Sequence, residues 1–510
     1  MSERPQFYEN NLSLPKISVE TLRQTLEELC PAVLNGVKII ESGDPPTGEY
    51  DGRGIFTGEL GIALAYLRLA HQALSLAQSG QPLPDFSALS GSRIPNQGPN
   101  VPLRVGGLSP LPSKSPISAV ALRILHQFAT GNAASISDSD ISCLEDAVAL
   151  ALSHGSTGFY HGHHLGADEV LFGRAGLLWV LLNIRSRLTD LPQAQRELLK
   201  PAVRRIPEVL RVIIGAGREG ATEHVQKHGE EEALPLMWPW KPGHYGIGWA
   251  HGLTGIIPIL LACRPDELSN TADNYVAEIG PTISGLCRLC IAHDGHLPTT
   301  IPPSSSSLSR KSPLVQICHG APAILGLLGC ALQNSDLVLN HWQPEWDHAL
   351  RLATDRVWEQ GLLSKGGGLC HGIAGNAWPF LLLHDALEYN GGALAQAREM
   401  HGRSETKAPS ADEFLSRAIA MLLHARETQP YNESRGTASY DYRMPDHPYS
   451  LYEGLAGTLC AWAETCVLVQ KRLRKIEAGD AFAQDAAFEQ CLQQQLGFPC
   501  MGGYGATGFL

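Results

Sequence analysis

The chain has 510 residues, of which 44% are hydrophobic and 18% are charged, and its formal net charge at pH 7 is −12. This acidic balance argues against a nucleic-acid-binding protein, which needs a basic stripe, and against tight attachment to anionic lipid, although it leaves room for peripheral membrane contact. No apolar run approaches the ~20 residues of a membrane span and the polar N-terminus lacks a secretory signal pattern, so the sequence predicts a soluble, cytoplasmic protein.

A Gly-x-x-Gly unit followed by an apolar run recurs along the chain. Five intact units and one altered unit begin at glycines: Gly58, Gly173, Gly252, Gly320 (the altered unit), Gly372 and Gly454. Each apolar run has the length of a short buried helix. Amphipathic stretches, with apolar residues at i, i+3, i+4 and i+7, lie between the units, as in residues 18–29, 201–216, 345–360 and 413–426.

This order of elements, with almost no strand alternation, predicts an all-α fold. We expect an α/α toroid in which the apolar helices form an inner ring and the amphipathic helices an outer ring; a generic helical solenoid is the alternative. Glycine suits the crowded starts of the inner helices because it has no Cβ. The repeat runs through the whole chain, which predicts a single domain over residues 1–510 with loops near 89–117, 218–232, 301–313 and 401–412.

Three of the units carry histidine or cysteine just before their first glycine. His251 precedes Gly252, and the pairs Cys318-His319 and Cys370-His371 precede the next two units. A repeat architecture that brings equivalent positions together would gather His251, Cys318, Cys370 and His371, which are zinc-type ligands with an acid/base neighbour. The alternative is that these are unrelated buried residues, since cysteine is often buried.

Several strings of the sequence resemble the lanthionine synthetase C-like proteins, and in particular their eukaryotic, glutathione-binding branch. The strings are GWAHGLTG, ICHGAP, GLCHGIAGNAW and SLYEGLAGT, together with residues 167–176 and 443–454. The resemblance runs from about residue 55 to residue 457. It implies a double α/α toroid of seven helix pairs and one zinc ion per chain, held by two cysteines and one histidine.

The resemblance implies that Cys318, Cys370 and His371 are the zinc ligands, whereas His319 is excluded. A Cys2His site with an open fourth position is the arrangement of a catalytic zinc, and a thiol in that position would have a lowered pKa. Cys287 and Cys290 also form a Cys-x-x-Cys motif. They lie in an apolar helical run without a second pair, so we expect them to pack in the core.

The resemblance also assigns acid/base residues. His251 would protonate the enolate that forms when a thiolate adds to a dehydroamino acid, although a hydrogen-bonded core histidine is the alternative. Asp168 matches a pocket aspartate that could orient a base or hold the peptide, and its alternative role is a helix N-cap. The residue that pairs with the histidine in bacterial cyclases has no clear position. The neighbouring cluster of Tyr160, His161, His163 and His164 is predicted to be a group of loop residues without an assigned role, and an accessory metal site is the alternative.

Basic residues match those that meet the carboxylates of glutathione in this branch. These are Lys365 and Arg443, with solvated surface charge as the alternative for each. Arg4 weakly resembles an N-terminal arginine of the branch, and Glu453 could close the far side of the pocket. The sequence departs from the family pattern at Ala323, which replaces a glycine, and at Trp249, which replaces a tyrosine.

The favoured hypothesis is a zinc-dependent enzyme that adds the thiol of glutathione to dehydroalanine or dehydrobutyrine in a protein or peptide. A non-catalytic module that binds zinc and glutathione in redox signalling is one alternative, and a peptide lanthionine cyclase is another. Lys365 and Arg443 suit a small anionic thiol and so disfavour the cyclase. A toroidal glycosidase would need two pocket carboxylates and would leave the metal motifs unexplained.

Overall fold

The computed structural model of the protein describes residues 4–77, 82–98, 100–131, 136–160, 162–304, 312–402, 408–432 and 440–503. Seven helices in this part of the chain form a closed inner ring, because each contacts the next and the last contacts the first. In chain order they are Glu59–His71, Pro116–Thr130, Arg174–Arg187, Leu253–Leu261, Ala321–Ala331, Ile373–Tyr389 and Leu455–Ala478.

An outer helix precedes each inner helix in the chain and packs against one or two members of the inner ring. These outer helices are Val19–Gly43, Phe86–Gly91, Asp138–Ser153, Ile206–His228, Val276–Ala292, Pro344–Gln360 and Ala411–His424. The predicted all-α double toroid of seven helix pairs is therefore confirmed.

Further helices connect the pairs or follow the last one. They are Ala73–Leu76, Gln193–Arg204, Pro265–Leu268, Ser335–His341, Gly391–His401 and Ala486–Gln494. Single 3-10 turns occur at Val105–Gly107, Leu188–Asp190, Ala425–Glu427 and Gly479–Gln484.

Short antiparallel strands occur in the loops. They are β1 (Phe7–Tyr8), β2 (Thr157–Tyr160), β3 (His163–Gly166), β4 (Pro239–Lys241), β5 (His244–Gly246), β6 (Thr300–Ile301), β7 (Val315–Gln316), β8 (His319–Gly320) and β9 (Leu362–Leu363). The pairings are β1 with β9, β2 with β3, β4 with β5 and then β6, and β7 with β8. The β1–β9 pair fastens the N-terminal segment, at Phe7, to Leu363 in the loop that precedes the sixth inner helix.

The two rings differ in how their residues are buried. Every residue of the inner helices Leu253–Leu261 and Ala321–Ala331 is buried. The outer helix Pro344–Gln360 buries one stripe instead, at residues 346, 349, 350, 353 and 357. Helices that are apolar all round lie inside a protein, whereas an apolar stripe belongs to a helix with one face toward solvent.

Two of the predicted loops are corrected by the structure. The segment 89–117 was expected at the surface, but residues 105–112 are buried and lead into the inner helix Pro116–Thr130, whose start lacks a Gly-x-x-Gly unit. The charged segment 218–232 mostly continues the helix Ile206–His228, where Arg218 pairs with Glu278 on the next outer helix. The other two loops lie partly outside the described residues, which omit 305–311 and 403–407.

Among the described residues, no single helix combines the length and the apolar character needed to cross a membrane. The helices Ala321–Ala331 and Ser335–His341 meet that criterion only when they are taken together, and they are bent by 105° at the break between them.

Candidate metal centre and active site

The loops that precede the seven inner helices are joined by a closed circuit of backbone hydrogen bonds. Each N–H donates to a carbonyl of the next loop: Phe56 to Leu111, Ser109 to Phe172, Leu171 to Ala250, Trp249 to Ile317, Cys318 to Cys370, Cys370 to Tyr452, and Tyr452 to Phe56. The circuit places the N-termini of all seven inner helices at one end of the toroid. Their dipoles favour negative charge there.

The glycines let each loop fold tightly over the start of its own helix. A Cβ at Gly255 would lie 1.9 Å from the carbonyl oxygen of Trp249, and one at Gly375 would lie 1.7 Å from that of Leu369. The close contact is thus with the loop's own backbone, six residues earlier, rather than with a neighbouring helix. Loop carbonyls in turn accept from the first helical N–H groups, which have no other intrahelical partner.

The altered unit begins differently. Gly320 has φ +137°, whereas Gly252 and Gly372 have φ −167° and −136°. The hairpin of β7 and β8 immediately precedes the helix Ala321–Ala331. This different path of the backbone accommodates the methyl group of Ala323, which is fully buried.

Cys318, Cys370 and His371 form a cluster whose ligand atoms all lie within 4.8 Å of one another. Both cysteines are buried and His371 is partly exposed. Gln316 donates a hydrogen bond from Nε2 to Sγ of Cys318 at 3.1 Å. The donor set of two thiols and one imidazole, gathered within this distance, fits a Zn²⁺ ion with one position left open. His319 is not a member of the cluster, in line with its exclusion.

The pKa values of the two thiols are shifted in opposite directions. The hydrogen bond from Cys370, helped by His371 and His319, lowers the pKa of Cys318 well below its usual range. The same interaction, together with burial and the nearby charge of Glu453, raises the pKa of Cys370, while Lys365 lowers it. The cluster therefore favours a thiolate even without an ion, as a metal-binding cysteine pair requires.

His251 is held by a buried carboxylate. Its Nδ1 lies 2.7 Å from Oε2 of Glu169, and the exposed fractions of the two side chains are 16% and 2%. Because a carboxylate only accepts, Nδ1 carries the proton in this pair, which leaves Nε2 to exchange a proton with a substrate. Burial raises the pKa of Glu169, and the histidine opposes that effect. Sequence reasoning missed Glu169, whose only signal was its place beside Asp168.

Asp168 has a different role from the one expected. Arg174 donates to both of its carboxylate oxygens, from Nε at 2.7 Å and from Nη2 at 2.9 Å, and both side chains are 1% exposed. Burial raises the pKa of Asp168 to about 6, against the opposing effect of Arg174. Asp168 was expected either to orient the base or to hold the peptide. In the structure its buried carboxylate instead fixes Arg174, and the contact with His251 belongs to Glu169.

Aromatic rings surround His251. Trp240 stacks on it with ring centroids 4.7 Å apart, and Phe172 and His319 lie at 6.0 and 5.7 Å. Trp240 belongs to strand β4, so the hairpin of β4 and β5 covers the histidine from outside. Gly248 lies against the carbonyl of Cys318, where a Cβ would approach to 1.9 Å, and this contact joins the histidine loop to the metal-ligand loop.

Lys365 and Arg443 lie on hydrogen-bonded backbone segments, and Lys365 acts on the Cys370 thiol. The N–H of Arg443 donates to the carbonyl of Ser364, the residue before Lys365, at 2.9 Å. Lys365 is exposed and has no ion-pair partner within the described ranges, whereas Arg443 pairs with Asp446 at 2.6 Å. Arg4 reaches the same rim because the N-terminal segment pairs with β9, and it binds Asp441 at 2.9 Å.

Glu453 lies near Cys370. It is 17% exposed, and its Oε2 lies 4.0 Å from Nε2 of His447. Its charge acts on the Cys370 thiol, as noted above. That Glu453 closes the far side of the pocket stays a prediction.

The centre of the toroid below the site is filled by aromatic rings and by the segment 495–503. Trp249 stacks on Tyr452 at 5.2 Å, and the hydroxyl of Tyr452 donates to the carbonyl of Pro499 at 2.9 Å. Phe498 contacts Trp249 and Trp378 edge-on. Tryptophan at position 249 therefore has a packing role, and the filled lumen closes the site from below.

The remaining motifs contribute no described side chain to the Cys318–Cys370–His371 cluster or to the His251–Glu169 pair. Cys287 and Cys290 are fully buried in the helix Val276–Ala292, which confirms that they pack in the core. His163 and His164 are exposed on β3, and His164 contacts the ring of Phe159 edge-on. His161 lies outside the described residues.

Comparisons with known proteins agree with this architecture. Residues 118–470 match the family described as lanthionine synthetase C-like protein. The chain is 27% identical over 292 residues to "Glutathione S-transferase LANCL1" of Danio rerio, a match that covers 57% of each chain. It is 26% identical over 294 residues to "LanC-like protein GCL1" of Arabidopsis thaliana, which covers 58% of this chain and 54% of that protein. The chain thus spans little more than half the length of these curated relatives. The match over most of the chain shows that it belongs to the lanthionine synthetase C-like family.

Proposed function

We propose that this protein adds the thiol of glutathione to dehydroalanine or dehydrobutyrine in a peptide or protein. The observation that carries the proposal is the convergence, at one end of the toroid, of a Cys2His cluster and a histidine held by a buried glutamate. The similarity to a protein named as a glutathione transferase supports glutathione as the thiol.

Cys318, Cys370 and His371 would hold one zinc ion per chain. A zinc ion bound there would lower the pKa of a thiol in its open position and keep that thiol ionised at neutral pH. The converging helix N-termini favour the same negative charge.

Lys365 and Arg443 would bind the carboxylates of glutathione. Lys365 acts on the Cys370 thiol, the backbone of Arg443 is hydrogen-bonded to the residue before Lys365, and both side chains reach solvent. A small anionic ligand could therefore meet them while its thiol approaches the cysteines. A lanthionine cyclase would draw its thiol from the peptide and would have no use for this pair of cations.

His251 would complete the addition. The glutathione sulfur forms a bond to the β-carbon of the dehydroamino acid, and the electrons of the C=C bond move toward the α-carbon. Protonated His251 then donates its proton to the α-carbon, which gives a thioether and leaves a neutral imidazole. Glu169 holds the ring during this transfer, and stacked Trp240 limits the access of water.

We place this reaction in the reducing cytoplasm, where glutathione keeps thiols reduced. All twelve cysteines are free thiols, which is consistent with that compartment. The buried His251–Glu169 pair favours an enzyme over a passive zinc- and glutathione-binding module, because a binding module has no need of a positioned acid.

The test is mass spectrometry of a dehydroalanine peptide incubated with the protein, glutathione and zinc. We expect a glutathione adduct whose formation slows about 10²–10⁴-fold in His251→Ala, with zinc content and glutathione affinity retained. An adduct that forms no faster than with the zinc-free protein would contradict catalysis and leave the binding module. Equal rates for His251→Ala and wild type would remove His251 as the acid.

A further inference from the structure

A separate cavity of about 490 Å³ opens beside the site, on the side of His251 rather than that of Lys365. It lies between the segment 101–116 and the hairpin of β2 and β3. Among the described residues, the lining contains two cations and no acidic residue: Val101, Pro102, Arg104, Gly107, Ser113, Lys114, Pro116, Phe159 and Gly162. This is unusual in a chain whose net charge is −12.

The cations of this cavity are available to a ligand. Arg104 and Lys114 are both exposed, and neither has an ion-pair partner in the part of the chain that the structure describes. The ring of Phe159 is 56% exposed at the same cavity. Two uncompensated cations beside an exposed aromatic ring are complementary to an acidic polypeptide segment.

The cavity is linked to the acid histidine by a short path. Gly107 lines it, and two residues later the N–H of Ser109 donates to the carbonyl of Phe172 at 3.4 Å. The ring of Phe172 lies 6.0 Å from that of His251. The whole path is roughly 15–20 Å, a distance that about five extended residues span.

We propose that this cavity docks an acidic segment of the acceptor polypeptide, about five residues from the dehydroamino acid. The inference rests on the proposed glutathione addition, and it names the class of acceptor. The donor carboxylates would meet Lys365 and Arg443 on one side of the site, while the acceptor's acidic residues meet Arg104 and Lys114 on the other.

The experiment compares dehydroalanine peptides that carry three glutamates five residues before or after the dehydroalanine with matched peptides that carry glutamines. Mass spectrometry measures KM and kcat for each peptide at low and high salt. We expect a KM about threefold to tenfold lower for the acidic peptides at low salt, as befits exposed charges, with little difference in kcat.

The double variant Arg104→Gln, Lys114→Gln should lose this preference while keeping the wild-type KM for glutathione. The matched control is Lys16→Gln, Lys38→Gln, which removes two exposed lysines that also lack ion-pair partners among the described residues. The control should keep the preference. A preference that survives in the cavity variant, a wild type that converts both peptides equally, or a raised KM for glutathione in the cavity variant would each overturn the proposal.

A second measurement separates docking from chemistry. Fluorescence anisotropy follows a labelled acidic peptide in which serine replaces dehydroalanine, so binding is read without any reaction. If no peptide is converted but the acidic serine peptide binds through Arg104 and Lys114, the proposed reaction fails and the docking site stands. If the acidic serine peptide binds no better than its glutamine match, or if only phosphatidylserine vesicles bind through these residues, the peptide site is refuted.

Discussion

The contrast between Glu169→Gln and Asp168→Asn is the sharpest test of the site. Both substitutions replace a buried carboxylate by an amide of nearly the same shape, and the two residues are neighbours in the chain. The structure assigns them different partners, since Glu169 contacts His251 and Asp168 contacts Arg174. The two variants should therefore fail in different ways.

In Glu169→Gln the charge-assisted hydrogen bond to His251 is lost. Hydrogen bonds to charged groups are worth about 1.5–3 kcal/mol, so the rate of adduct formation should fall about 10- to 150-fold. The amide still fills the same space and its oxygen can still accept from Nδ1 of His251, and the Cys318–Cys370–His371 cluster is untouched. Zinc content, glutathione affinity and the urea midpoint should therefore stay near those of the wild type.

In Asp168→Asn the guanidinium of Arg174 stays buried without its counter-charge. Breaking a buried ion pair costs about 3–5 kcal/mol, and here the lower end applies because Arg174 also donates to the backbone carbonyls of residues 151, 154 and 155. The free energy of unfolding should fall by about 3 kcal/mol, while the folded fraction keeps a nearly normal rate.

Three measurements decide between these outcomes: urea unfolding for stability, elemental analysis for zinc, and mass spectrometry for the rate of adduct formation per folded molecule. The reasoning is refuted if Glu169→Gln reacts like the wild type while Asp168→Asn is stable and slow. That result would return the orienting role to Asp168.

Three further predictions follow from the same contacts. Elemental analysis should show that Cys370→Ala loses most of the bound zinc, because a site with two ligands binds zinc weakly. The control Cys460→Ala, which removes a buried thiol outside the cluster, should retain the zinc, and equal zinc in both variants would contradict the assignment. Lys365→Ala and Arg443→Ala should each weaken the binding of glutathione by about 1 kcal/mol in calorimetry, because both side chains reach solvent. This loss of binding free energy should shrink with added salt, and unchanged affinity in both variants would place the glutathione site elsewhere. Burial raises the pKa of Glu464 to about 7, so the folded state keeps a proton that the unfolded chain releases above its ordinary pKa of 4.5. The free energy of unfolding should therefore fall by up to about 3 kcal/mol as the pH rises from about 4.5 to 7. Glu464→Gln should remove this pH dependence from urea unfolding, and an unchanged pH profile would refute the prediction.

The fold was largely readable from the sequence because its signals are local. Where the helix start passes close to its own loop backbone, only glycine fits, so the requirement is visible at a single position of the sequence, as at Gly255 and Gly375. Helices buried on all sides are apolar throughout, and outer helices carry a stripe. The second inner helix, Pro116–Thr130, was not predicted because its loop lacks the glycine unit. A loop rich in proline, glycine and serine resembles a surface loop whether or not it is buried.

The Cys318–Cys370–His371 cluster was predictable in part, because the repeat places its two cysteines at equivalent points of neighbouring loops. The choice of these three residues, without His251 and His319, came from the family resemblance. Cys318 and Cys370 each stand two residues before the first glycine of their unit. The hydrogen bond between their backbones, at 3.3 Å, shows that equivalent positions do meet. Because the repeats were expected to form a ring, equivalent positions of neighbouring repeats could be predicted to lie close together.

The choice between Asp168 and Glu169 needed the tertiary structure. Both are carboxylates in one loop, and nothing local separates them. Their roles depend on what other segments bring to them: His251 from the next loop of the ring, and Arg174 from the start of the following helix, which turns back on the loop. The cation-lined cavity at Arg104 and Lys114 likewise could not be predicted from the sequence, because two segments distant in sequence enclose it. The sequence by itself determined the ring of helices and the cysteines that repeat around it. Only the packed structure decided which charged groups share a buried contact, since that depends on the directions in which side chains from different loops converge.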